Sequence, residues 1–141
     1  MPFRYLRDRL FLACVAAYFI NRLVLKRIWV SGFVHDHFND LICIPFWVPV
    51  MLWIERSIGL RRRDGPPDAM EIAVPLVVWS WTFEVFLPAR GWLGPHCAAD
   101  HRDVLWYSVG ALAASLAWRR RYGDEGDTGT AGAPRGEPGV P

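Results

Sequence analysis

The chain has 141 residues, of which 52% are hydrophobic and 14% aromatic, and its formal net charge is +2. That length holds one domain, and the hydrophobic share is high for a soluble one. The small charge gives no reason to invoke nucleic acid, and the scattered Cys14, Cys43 and Cys97 give no support to a disulfide framework.

Four apolar runs follow one another, at about 10–25, 41–54, 70–88 and 104–118. The first follows Arg4, Arg7 and Arg9 and resembles the start of a signal peptide. Its small residues Ala13, Ala16 and Ala17 come too early for a cleavage site, so an uncleaved anchor is expected. A polar segment, His35-Asp36-His37-Phe38-Asn39-Asp40, leads into the second run. Pro45 and Pro49 lie in that run and Pro75 in the third; each removes a backbone donor, so bent helices are expected. Between these two runs, Arg61-Arg62-Arg63-Asp64-Gly65-Pro66-Pro67 reads as a turn. Its arginines suit anionic headgroups at roughly 1 kcal/mol per charge. A second polar segment, His96 to Asp103, leads into the fourth run, where Gly110 and Ala114 have the small-xxx-small spacing of a close helix contact. From Gly123 on, the chain is too rich in Gly, Pro, Thr and acid to offset its ordering entropy.

A helix needs about 20 residues to cross a hydrocarbon core of roughly 30 Å. The second and fourth runs are shorter, near the length of buried helices in a soluble all-α protein. Two features favour the membrane instead. Trp53, Trp106 and Trp118 flank the runs as an aromatic belt would, and arginines collect on one side of a four-span topology. That side holds Arg4, Arg7, Arg9, Arg56, Arg61, Arg62, Arg63, Arg119, Arg120 and Arg121. The positive-inside rule makes it cytoplasmic, with both termini inside. The expected fold is therefore an all-α four-helix integral membrane bundle with short, proline-bent spans over residues 1–122, followed by a disordered cytoplasmic tail, 123–141. The arginine-rich, lysine-poor composition is compatible with a bacterial cytoplasmic membrane.

The same topology gathers all four histidines, with several acids, on the outer face. Asp100, Asp103, Tyr107 and Gly110 share one helical face, and Asp36, Asn39 and Asp40 share another. Glu84 reaches the outer end of the third span from the opposite direction. An ionisable group inside an apolar span is costly and usually faces a bundle interior or water, so Glu84 is the leading functional residue. Glu84, Asp100 and Asp103 are the candidate catalytic set. Arg22, Arg102 and Tyr107 are candidates for binding an anionic or polar substrate. His35, His37, Asp40 and His101 are candidate ligands for a divalent metal, zinc or manganese. A purely structural alternative stands beside this: Asp and Asn at helix N-termini cap exposed amides, and Asp100 to Asp103 has capping-box spacing.

Glu84, Asp100, Asp103, Tyr107 and Gly110 together resemble the VanZ-like family of small bacterial membrane proteins. In that pattern a glutamate closes one span, a short loop leads to a D-x-x-D pair, and a polar residue and a glycine follow on the next. Leu87 stands where glutamine often follows the glutamate, and Tyr107 where asparagine is usual. The resemblance covers 83–114 and implies four helices and an outward-facing acidic site, without a settled reaction.

The function expected from these residues is binding or modification of an envelope component, such as a lipid-linked one, at an outward acidic and histidine-bearing site. Whether that includes catalysis is left open. Two alternatives are a small ion or metabolite transporter, which would be oligomeric, and a structural or assembly subunit in which the polar residues are caps only. The bilayer is the expected partner in every case.

Overall fold

The computed structural model describes residues 3–90 and 100–123; the expected tail beyond Gly123, with His96 and Cys97, lies outside the described residues. All regular structure among the described residues is helical. After a short turn at Tyr5–Arg7 come four helices. Helix α1 runs through Arg9–Ile20, a π turn at Asn21–Leu25 and Lys26–Ile28. Helix α2 covers Phe33–Ser57, with a break at His37. Helix α3 covers Ala69–Arg90 and contains a second π turn, Thr82–Phe86. Helix α4 is His101–Tyr122. By length and composition, α2 and α3 could each cross a membrane.

Local chemistry fixes the helix ends. Asp8 caps α1, its carboxylate accepting from the Leu10 and Phe11 amides at 3.0 and 3.2 Å. Asp68 and Glu71 form a reciprocal capping box at the start of α3, two orphan amides satisfied at once. Helix α2 stops at Gly59, whose φ of 77° suits a residue without Cβ. The Gly59 and Leu60 amides donate back to the Arg56 and Glu55 carbonyls, the double bond of a Schellman close.

The core lies between α2 and α4. One face of α2 buries Ile44, Val48 and Leu52 against Tyr107, Ala111, Ala114 and Trp118 of α4. Each buried aliphatic side chain contributes about 1.5–3 kcal/mol. Helix α1 packs on α2, and α3 packs on both α2 and α4. Gly110 lies at the crossing point: a Cβ there would run into the Leu41 carbonyl. That same carbonyl can receive no α-helical bond from Pro45, which has no N–H. The glycine Cα–H thus faces a proline-freed acceptor, a contact typical of close helix pairs. Both core-facing prolines of α2, Pro45 and Pro49, are buried.

At the arginine-rich end, Phe3 is 2% exposed and packs edge-on against Tyr5, Trp118 and Tyr122. Trp118, expected in an interfacial belt, is instead buried in the core. Its indole donates to Asp8 at 3.1 Å, and Tyr122 donates to the same carboxylate at 2.7 Å. Arg61, also buried, pairs with Glu71 at 3.0 Å and donates to the Tyr5 hydroxyl at 3.0 Å. These contacts tie the N-terminus, the 58–68 connection and the end of α4 together.

Two outcomes follow. Gly110→Ala is expected to cost about 1–3 kcal/mol through overpacking against backbone, seen as a lower Tm in detergent. Leu112→Ala, on the exposed side of α4, should change Tm less; an unchanged Tm for Gly110→Ala would contradict the close crossing. The Glu71 amide, bonded to Asp68, holds that carboxyl below the ordinary aspartate range. A lowered carboxyl stabilises above its unfolded pKa and loses that effect as pH falls through its folded value. Asp68→Ala should therefore cost about 1 kcal/mol at neutral pH, and the gap to wild type should narrow in acid unfolding series.

Candidate functional site

At the opposite end, polar side chains from all four helices converge. Helix α4 contributes Asp100, Asp103 and Tyr107, which one helical face carries because their spacing is three and four. Helix α2 contributes His37, Asn39 and Asp40 from its first turn. The break at His37 and the reversal after the Gly32 φ of 98° bring this turn over the start of α4. Helices α1 and α3 contribute Asn21 and Glu84 from their π turns. A π turn re-aims side chains by inserting one extra residue, and such turns recur at functional sites.

His37 Nδ1 is 2.9 Å from Asp103 Oδ1, and the ring stacks on Trp106 at 6.1 Å. One potential ligand atom from each of His37, Asp100 and Asp103 lies within 4.8 Å of the other two. Ligand atoms about 2.1 Å from a common ion are at most about 4.2 Å apart, so small rotations would let all three share one. Asp40 has Asp103, Tyr107 and His37 as electrostatic neighbours. Glu84 accepts a hydrogen bond from the Asp100 amide and lies near Asp103 and His101, while its Oε2 is buried without a partner among the described residues. Asn21, fully buried, donates to Asn39 at 2.9 Å. Carboxylates gathered this way favour a proton or a cation among them.

Several sequence candidates lie apart from this cluster or at its edge. His35 turns to Asp36, 2.6 Å away. Arg22 is exposed on the α1 π turn. Arg102 is exposed and lines a surface groove with Phe33, Asp36 and Trp106. His101 is exposed and within electrostatic reach of Glu84. Asp100 caps α4 through the Arg102 amide at 3.0 Å; Asp103 does not complete a capping box, because its carboxylate serves His37. Asn21 was legible only as a polar residue near a span end, and its pairing with Asn39 needed the fold.

Beside the cluster is a cavity of about 420 Å³, within the range of small-molecule pockets. Asn39, Asp40 and Tyr107 form its polar end. Cys43, Phe46 and Trp47 form its floor on α2, and Tyr18 of α1 and Phe83 of α3 stand on either side. No protein-family model, curated protein or solved structure matches this chain, so the site is read from its own chemistry.

Glu84→Gln is expected to raise stability by on the order of 1 kcal/mol, since it removes like charge and supplies a donor where one oxygen is unpartnered. Asp103→Ala, which breaks the His37 contact, should lower it. Paired melting curves check both directions, and a destabilised Glu84→Gln would show that the carboxylate is already compensated.

Proposed function

We propose that this is a multi-pass integral protein of a bacterial cytoplasmic membrane, with four spanning helices and both termini inside. Its outward-facing site binds or modifies an envelope component, as the VanZ-like motif implies, and holds a divalent cation. One observation carries this reading: His37, Asp40, Glu84, Asp100, Asp103 and Tyr107 cluster at the end of the bundle opposite most of the arginines, with an apolar exterior between. Leu12, Phe19 and Leu23 on α1, Val74 and Val77 on α3, and Leu112 and Leu116 on α4 are all about half exposed or more. A soluble monomer rarely exposes so extensive an apolar surface, and a bilayer would cover it. The arginines at the other end follow the positive-inside rule.

Within the site, His37 and Asp103 offer mixed imidazole and carboxylate ligation with Asp100, which suits zinc or manganese. A bound cation would offset the crowded carboxylates and accept a phosphate or hydroxyl oxygen of the ligand. Asp40 and Glu84 would then be the groups able to take up or hold a proton. Transport fits the interior less well. Below the cluster the core is Ile44, Val48, Leu52, Ala111 and Ala114, without a charged residue on α2 from Leu41 to Ile54.

Metal content of the detergent-purified protein, measured by mass spectrometry, tests this. Near-stoichiometric zinc or manganese is expected in wild type and in His35→Ala, and its loss in a His37→Ala/Asp103→Ala variant. A folded wild type that takes up neither metal would sink the cation and leave caps or a metal-free acidic site.

A further inference from the structure

The cavity beside the acidic cluster has a shape and polarity that the cluster alone does not explain. Asn39, Cys43, Phe46 and Trp47 follow one face of α2 from its polar end. From 39 to 47 that face descends roughly 12 Å at 1.5 Å per residue. The polar groups are confined to the top, and everything below is apolar or aromatic. Its two sides, Tyr18 and Phe83, belong to α1 and α3, which do not pack on each other as a pair. The cavity therefore lies between two helices, along the side of the bundle. The aromatic residues that bound it are themselves partly exposed: Tyr18 is 38% exposed, Phe83 38% and Trp47 37%.

A water-soluble metabolite would meet this aromatic flank first and gain little from a floor of Cys43, Phe46 and Trp47. A hydrocarbon chain matches both the flank and the floor, and its polar end would arrive at Asp40 and Tyr107. We propose that the cleft between α1 and α3 holds one hydrocarbon chain of a membrane lipid, entering sideways from the bilayer, with its head at the Asn39, Asp40 and Tyr107 end. The inference rests on the membrane placement proposed above and names the ligand class for that site.

The test uses the full chain in phosphatidylcholine vesicles containing a phosphatidylcholine with a photoreactive diazirine near the end of one acyl chain. After illumination, adducts are mapped by peptide mass spectrometry. The expected result is adducts on the cavity residues Ile42, Phe46 and Phe83 at several times the yield found on the outer residues Leu12, Val77 and Leu116. Cys43→Trp, which fills the floor, should reduce the cavity adducts several-fold and leave the outer ones unchanged. Phe83→Trp, which narrows the cleft from the α3 side, provides a second variant with the same expectation. Outer adducts without cavity adducts in wild type would overturn the inference and leave the membrane placement standing. Absence of adducts at both sets would overturn the two together.

Discussion

Helices α2 and α4 come close enough for Gly110 to touch the Leu41 carbonyl, and the other elements are arranged around that crossing. Leu41 follows Asp40 in the chain, and Tyr107 lies one turn before Gly110. The distance between those two side chains, and from them to Asp103, is therefore set by backbone contact rather than by the flexible side chains themselves. A larger residue at 110 would move the acids apart before it altered any polar group. Proline contributes from the other side. Without an N–H at Pro45, the Leu41 carbonyl is open to a neighbour, so a residue that weakens an isolated helix becomes part of a tight pair.

The two ends of the bundle solve opposite electrostatic problems. At the arginine end, charges are matched in detail: Arg61 with Glu71, Arg63 with Asp68 at 2.6 Å, and Asp8 with four donors from its own helix and α4. Buried charge there is fully bonded, which is the condition under which it can be tolerated. At the other end, Asp40 and Glu84 each lie near Asp103; among the described residues, His37 is the only imidazole bonded to a carboxylate of this group, and Glu84 retains a buried oxygen without a partner. Natural sequences keep that kind of conflict where a site is built, and resolve it elsewhere. The contrast between a satisfied end and an unsatisfied one separates scaffold from site in this molecule.

Much of this was legible in the residues. The face formed by Asp100, Asp103, Tyr107 and Gly110 follows from helical spacing, and Gly110 with Ala114 announced a close contact. The prominence of Glu84 came from one acid within an apolar run. Other features were not legible, for physical reasons. His35 and His37 are two apart and equivalent by composition, yet the helix break at His37 sends one to Asp103 and the other to Asp36. Trp118 has the sequence position of a belt residue, but burial against Phe3 and Asp8 makes it core. The π turns at Asn21 and Glu84 leave no signature in hydropathy, because the extra residue alters aim and not polarity.

By itself the sequence determined the number of helices, the gathering of most arginines at one end and of the histidines at the other, and the faces that meet, since periodicity and charge act within a few residues of themselves. Tertiary structure decided which polar groups share a site, which tryptophan is buried, and that a cavity lies between α1 and α3. Those outcomes depend on the crossing of α2 over α4 and on α1 and α3 not packing closely as a pair, and no local pattern encodes such a gap.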